Sequence, residues 1–283
     1  MKCAISNIAW LPHEARRVYA LMQRHGFAGL EVAPGLALPD EADPFRPSAA
    51  GVRAFRADCA EFGLTPVSMQ SLLFGATGAQ LFGAAAECAA LEAGIERAIG
   101  LAELLGIPNL VFGSPRNRAY PDGMSRDAAL DQAATVFARL GDKALAAGAV
   151  LAIEPNPASY GTNFLTTLAE AADFVTRLAH PGVTLNYDIG ALLAEGEDAH
   201  AAARYAAARG RVSHVHISEP ELAPAPADAA GFAAIARQLA GQGYQGWFSI
   251  EMRRPERDAL AVIEACLRRV AGARQLLENP TDA

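Results

Sequence analysis

The chain has 283 residues, with 24 Lys and Arg against 31 Asp and Glu, for a formal net charge of −7. That balance argues against non-specific nucleic-acid binding, which needs a basic surface. With 52% hydrophobic and only 19% charged residues, a large core is available and disorder is excluded on composition. The length fits one α/β barrel spanning residues 1–283, with about 277–283 expected as a frayed tail.

Cys3, Cys59, Cys88 and Cys266 are scattered and form no CxxC pair, as expected for reduced thiols in a cytosolic protein. The opening MKCAISNIAW reaches a polar residue too soon for a signal peptide's apolar core. No apolar run approaches the roughly 20 residues that cross a bilayer as a helix. A cytoplasmic location without membrane contact is the expectation.

Short β-type runs alternate with amphipathic helical runs from one end to the other. In chain order the strands are expected at Cys3–Ile8, Gly29–Ala33, Pro66–Ser71, Asn109–Gly113, Val150–Glu154, Val183–Asp188, Val212–Ile217 and Trp247–Glu251. The helical runs are His13–His25, Ala49–Phe62, Ala84–Leu105, Asp127–Ala147, Leu168–Leu178 and Asp258–Leu276. Pro12 suits an early helical position, and Gly26, Gly63, Gly106 and Gly148 fall where a helix end wants a left-handed residue.

The junctions HGFAGLEV, FGLTPVSM, LGIPNLVF, AGAVLAIE and QGYQGWFSIE repeat one order: helix end, glycine, short turn, buried strand. Strands such as NLVFG and VLAIE lack polar alternation, as expected when both faces are covered. The pattern predicts a parallel eight-stranded (β/α)8 TIM barrel. An open doubly wound sheet is the alternative, but no GxGxxG or GxxxxGK[ST] follows any strand. The segment EPELAPAPADA, Glu219–Ala229, reads as a long loop after strand seven.

In such a barrel the site lies at the C-terminal strand ends, and polar residues there are the informative ones. Glu154, Asp188 and Glu251 end strands five, six and eight, and His216 lies near the end of strand seven. Three carboxylates and an imidazole on one mouth would repel as bare anions, and a divalent cation resolves this. His214, two residues before His216 on the same strand face, leaves the identity of the ligand open between them. The position nearer the strand end favours His216, with His214 supporting the site from behind. Oxygen-rich ligation with one nitrogen suits Mn²⁺, Mg²⁺ or Co²⁺, with Zn²⁺ less fitting.

With the phrases AIEPNP, NYDIG, HVHISEP and FSIEM, the chain resembles the xylose isomerase-like TIM barrel family. Within it the chain is most similar to the sugar phosphate isomerase/epimerase and ketose 3-epimerase branch. The resemblance implies Glu154, Asp188, His216 and Glu251 as metal ligands. It also implies Glu154 and Glu251 as the catalytic acid/base pair on opposite sides of a carbohydrate substrate. The implied reaction is isomerisation or epimerisation of a small polyhydroxy carbonyl compound (a sugar, sugar phosphate or sugar acid) by proton transfer through a metal-stabilised enediolate.

Two positions depart from the ketose 3-epimerases: Ala191 stands where that branch has histidine, and Leu222 where it has arginine. Other strand-end residues are therefore the candidates for substrate contact: Gln70, Asn156, Arg116, Arg118, Arg253 and Glu31. The arginines suit a phosphate or carboxylate, or else pair with surface acids. Glu31 either touches substrate or braces the mouth. Tyr160 and Asn163 are placed to close over a substrate, and Trp10 to supply an apolar wall.

An inosose-type dehydratase, a lyase, would use the same centre. A non-catalytic carbohydrate-binding barrel is the remaining reading. A nuclease of the apurinic type would need more histidines than this mouth supplies. Homo-oligomer formation through the outer helices is left open by the sequence.

Overall fold

A computed structural model describes residues 1–208 and 210–278. Residues 279–283, most of the expected frayed tail, lie outside the described residues, while 277 and 278 belong to the last helix. The strands are β1 (Lys2–Ser6), β2 (Gly29–Val32), β3 (Thr65–Met69), β4 (Asn109–Phe112), β5 (Val150–Ile153), β6 (Val183–Asp188), β7 (Val212–Ile217) and β8 (Trp247–Ile250). They pair in parallel in chain order, and β8 closes on β1, with Lys2 opposite Trp247 and Ile5 opposite Ile250. The closed barrel settles the choice against an open sheet.

The helices are α1 (Ala15–Arg24), α2 (Pro34–Ala37), α3 (Ala49–Glu61), α4 (Ala85–Leu105), α5 (Arg126–Ala146), α6 (Leu168–Leu178), α7 (Ile189–Ala194), α8 (Ala201–Ala207), α9 (Ala229–Gly241) and α10 (Ala259–Glu278). Ser48, Ser125 and Thr167 cap α3, α5 and α6 by accepting a backbone N–H at 3.1, 3.2 and 3.1 Å. The four junction glycines adopt φ between +66° and +74°, which a Cβ would penalise.

Sequence and structure differ mostly at the mouth. Five expected strands end one or two residues early, because Asn7–Ala9 turns into a 3₁₀ helix and Ala33, Gly113, Glu154 and Glu251 already belong to the loops. The third runs Thr65–Met69 instead of Pro66–Ser71. The short α2, α7 and α8 carry no long amphipathic period and went unforeseen. The loop after β7 begins with a 3₁₀ turn at Pro220–Leu222 and gives way to α9 behind the Asp228 cap.

Apolar packing lies between sheet and helices. Phe112 of β4 meets Phe137 of α5 at 5.0 Å between ring centres, Phe137 meets Phe174 of α6 at 6.1 Å, and Phe174 meets Phe164 at 6.0 Å. Phe82 continues the ladder against Phe164 at 5.0 Å. Edge-to-face contacts of this kind add about 0.5–1.5 kcal/mol each beyond burial. They also tether the loops after β3 and β5, which help form the mouth.

The barrel interior is polar. Asn109 Nδ2 donates to Ser68 Oγ at 3.0 Å, and Ser213 Oγ donates to Asn109 Oδ1 at 2.7 Å. Thr184 shares a 2.7 Å hydrogen bond with Ser213. Gly29 makes room for the Trp247 ring inside the barrel: a Cβ there would lie 2.6 Å from Ala4 Cβ and 2.8 Å from the indole. Gly29→Ala is therefore expected to destabilise by about 1–3 kcal/mol. Gly100→Ala, at an exposed α4 position with nothing within 4 Å of the new Cβ, should stabilise by about 0.5–1 kcal/mol. Thermal melts of the two variants beside the parent check the pair of signs.

Candidate metal centre and substrate cavity

Because the parallel strands close into a barrel, residues at their C-terminal ends meet at one rim. Asp188 ends β6 opposite His216 of β7, which in turn lies opposite Ser249 of β8. Glu154 and Glu251 follow β5 and β8 directly. One ligand-type atom from each of Glu154, Asp188, His216 and Glu251 lies within 4.8 Å of all the others, and all four side chains are buried. His216 Nδ1 is 2.8 Å from Glu154 Oε1, 3.2 Å from Glu251 Oε2 and 3.7 Å from Asp188 Oδ2. This nitrogen is nevertheless buried without a properly directed hydrogen bond. Three carboxylates around an unsatisfied nitrogen fit a divalent cation better than a hydrogen-bond network.

Neighbouring side chains hold each carboxylate in place. Asn186 Nδ2 donates to Glu154 Oε1 at 2.8 Å, and Asn156 Nδ2 donates to Oε2 at 3.1 Å. Asp188 caps α7, accepting from Ala191 N at 2.5 Å and from Ser218 Oγ at 2.8 Å. Glycines leave the space: a Cβ on Gly113 would sit 2.4 Å from Glu154 Oε2, and one on Gly190 would sit 2.6 Å from Ser218 Oγ. Asn186, Ser218 and Ser249 were missed in the sequence reading. Each lies two residues from a named ligand on the same strand or its end, so period-two alternation would have found them.

The electrostatics of the metal-free chain follow from burial and crowding. Burial pushes Glu251 up to about 7, opposed by His216 and reinforced by the Glu154 and Asp188 charges. His216 loses by burial, but Glu31 and Glu251 outweigh that and raise it well above the ordinary imidazole value. Glu31 would be raised by burial, yet the two adjacent histidines hold it well below the usual carboxylate range. Burial lowers His214 despite Glu31 beside it.

Above the carboxylates opens a cavity of about 640 Å³, lined by Gln70, Arg116, Asn156, Tyr160, Ala191, Leu222 and Arg253 among others. Tyr160 Oη accepts from Glu221 N at 2.7 Å, joining the loops after β5 and β7. Glu221 and Leu222 both hold left-handed backbone, with φ of +60° and +56°, a conformation that costs non-glycine residues about 1 kcal/mol or more each. Arg253 N donates to Leu222 O at 2.8 Å, fastening the β8 loop to that strained turn.

Four of the residues singled out near the mouth lie away from the cavity. Glu31 is fully buried beneath the mouth, where it meets His216, Ser68 and Ser249. Arg118 is also fully buried and reaches only Leu165 O at 3.5 Å, and burial lowers its guanidinium to about 10 against the pull of Glu154. Asn163 pins the Tyr120 backbone from both sides. Trp10 packs against Tyr19 in the core. None of the four lines the cavity.

The chain matches the xylose isomerase-like TIM barrel description over residues 19–270. It belongs to that family. No curated protein matches it. Among solved structures, this family member is similar to the 3-keto-D-glucoside 4-epimerase of E. coli, at 20% identity and TM-score 0.76, covering 97% of this chain and 99% of that one. It is similar to the D-psicose 3-epimerase of Clostridium cellulolyticum H10 at 17% identity and TM-score 0.74, covering 98% of each chain. A family 2 AP endonuclease from Brucella melitensis has 20% identity and TM-score 0.71, covering 96% and 99%. At these identities the likeness is one of fold. Among the described residues no helix is long and apolar enough to cross a membrane.

Gly113→Ala should push the Glu154 carboxylate out of place while leaving the barrel intact. Calorimetric titration with Mn²⁺ is expected to show affinity reduced about 10- to 100-fold, with an unchanged far-ultraviolet circular dichroism spectrum.

Proposed function

We propose that the protein is a divalent-metal-dependent isomerase or epimerase acting on a small polyhydroxy carbonyl compound: a sugar, sugar phosphate or sugar acid. The observation that carries this reading is the meeting of three carboxylates and the unsatisfied His216 Nδ1 at the floor of an open cavity that several polar side chains help to line. The sugar epimerases among its structural neighbours support it, one of them crystallised with D-tagatose.

Glu154, Asp188, His216 and Glu251 would hold the cation, with Mn²⁺, Mg²⁺ or Co²⁺ best suited to this donor set. When bound, it supplies stabilisation of negative charge on substrate oxygen. The chain's own residues do the rest. Glu154 and Glu251 come from β5 and β8, separated around the rim by β6 and β7, and so approach a bound substrate from different sides. Removing a proton from a carbon next to a carbonyl needs one carboxylate as base, and returning a proton to the opposite face needs a second as acid.

In the metal-free chain burial and the neighbouring carboxylates push Glu251 up to about 7, so there it takes up a proton more readily than an exposed carboxylate does. Asn186 and Asn156 fix the direction of the Glu154 carboxylate. Gln70 and Asn156 offer neutral donors and acceptors to hydroxyls. Arg116 and Arg253 offer charged donors to an acidic substituent. Tyr160, bridged to Glu221, walls the cavity over β6.

With Mn²⁺ and a ketose substrate in deuterated water, the parent is expected to introduce deuterium at carbon next to the carbonyl. Glu154→Gln and Glu251→Gln should each slow this exchange by about 10²-fold or more. Retained exchange in both variants would refute the acid/base pair. An ultraviolet-absorbing unsaturated ketone as product would make the protein a dehydratase, and no exchange on any ketose, sugar phosphate or keto sugar acid would leave a binding barrel.

Metal affinity should depend on pH in a stated direction. Below about 7 the Glu251 carboxyl of the metal-free protein carries a proton, and His216 carries one on the nitrogen facing the carboxylates. Both must leave before a cation binds. Apparent Mn²⁺ affinity should therefore rise about tenfold or more between pH 6 and pH 7 and go on rising above pH 7, because His216 holds its proton well above the ordinary imidazole range, as titrations at several pH values would show.

A further inference from the structure

Behind His216, away from the cavity, lies the fully buried carboxylate of Glu31. His216 Nε2 is 3.0 Å from each of its oxygens. Ser68 Oγ donates to Oε1 at 3.0 Å and Ser249 Oγ donates to Oε2 at 2.8 Å. Ser68 itself accepts from Asn109, so its one hydroxyl proton is committed to Glu31. An ionised carboxylate only accepts hydrogen bonds, so the ring nitrogen facing it must carry a hydrogen. A neutral imidazole has one N–H, and with that hydrogen on Nε2 the lone pair belongs to Nδ1, the atom among Glu154, Asp188 and Glu251.

Ring orientation is constrained by the same contact. Turning the imidazole over by 180° would exchange Nδ1 with Cδ2 and Nε2 with Cε1, setting carbon atoms against Glu31 and toward the cavity-side carboxylates. Such a flip would forfeit the charge-assisted hydrogen bond to a fully buried anion. His214 packs edge-on against His216, with ring centres 5.3 Å apart and planes at 83°, which limits the ring's other movements.

We propose that Glu31, held by Ser68 and Ser249, is a positioning residue that selects the Nε2–H tautomer of His216 and thereby makes Nδ1 the cation ligand. The proposal rests on the reading of the mouth as a metal centre. It gives a function to a fully buried acid that touches no substrate. It also accounts for the barrel's polar interior, since the Asn109–Ser213–Thr184 chain ends on the serine that anchors this acid.

His214 Nε2 is buried without a hydrogen-bond partner, 3.7 Å from Glu31 Oε1, and Glu31, His214 and His216 are close enough to form a second donor group. A cation there would require His216 to ligate through both nitrogens, and it would compete with hydroxyls already directed at Glu31. The single-tautomer arrangement satisfies more of these groups.

The test uses the full chain, ¹⁵N-labelled and loaded with diamagnetic Zn²⁺ or Mg²⁺. Long-range ¹H–¹⁵N correlation is expected to show a protonated Nε2 and an unprotonated, metal-shifted Nδ1 for His216. Glu31→Gln keeps the size of the side chain but turns an amide NH₂ toward groups that donate. It should lower cation affinity about 10- to 100-fold, with a weakened or mixed tautomer signature and, in the metal-free form, a lowered melting temperature but an unchanged far-ultraviolet circular dichroism spectrum. If that variant does not fold, Ser249→Ala removes one anchor and should give a smaller loss of affinity with the same spectral trend.

A parent protein that binds one cation with Nδ1 protonated overturns this proposal and leaves the metal reading standing. Two cations per chain, one of them lost in Glu31→Gln, overturn it in favour of a second metal site. A parent that binds no cation overturns both readings.

Discussion

Like charges held close together in a dry place are the constraint around which this mouth is organised. Glu154, Asp188 and Glu251 are each less than 10% exposed and share one small volume with a histidine nitrogen. In bulk water such a group would fly apart, whereas the barrel cannot let it, because the carboxylates sit at the ends of hydrogen-bonded strands. The free energy of that crowding must be met by protons, as the upward displacement of Glu251 and His216 shows, or by a cation. The upward shift of these groups and the fit of the cluster to a cation are therefore two consequences of one electrostatic conflict.

The barrel beneath answers the conflict with a second, buried anion. A carboxylate under a cluster of carboxylates would worsen matters were it not separated from them by the imidazole ring. His216 is shared between the two sides: its Nε2 faces Glu31 and its Nδ1 faces the mouth. Hydroxyl donors complete the coordination of Glu31, and the polar chain running from β2 to β6 carries no further charge. In this chain the usual apolar filling of a barrel is replaced by a graded series, neutral at the bottom, anionic in the middle, and anionic around a ligand site at the top.

Much of this was legible in the sequence. Glycine-turn-strand junctions carried the repeat, and polar residues at or beside the ends of the late strands marked the four side chains that meet at the mouth, since polar residues at the end of an apolar strand have few structural reasons to exist. What sequence could not convey was depth. Glu31 and Glu154 both follow apolar strand residues, yet one lies below the rim and the other on it, and only the stagger of neighbouring strands decides which. Arg118 misled for a related reason. Four residues after a left-handed Ser114, the chain turns it inward, whereas Arg116 in the same segment reaches the cavity. The short α7 and α8 escaped notice because each is too brief to show a helical period.

The strained turn at Glu221 and Leu222 separates two kinds of inheritance. Its backbone departs from what those side chains prefer, so its shape is dictated by its fastenings, to Tyr160 on one side and Arg253 on the other, and not by the identity of the residues within it. A turn of that kind tolerates replacement of its side chains so long as the fastenings persist. The cavity wall can thus change its side chains while its backbone course and the strand ends beneath it stay fixed.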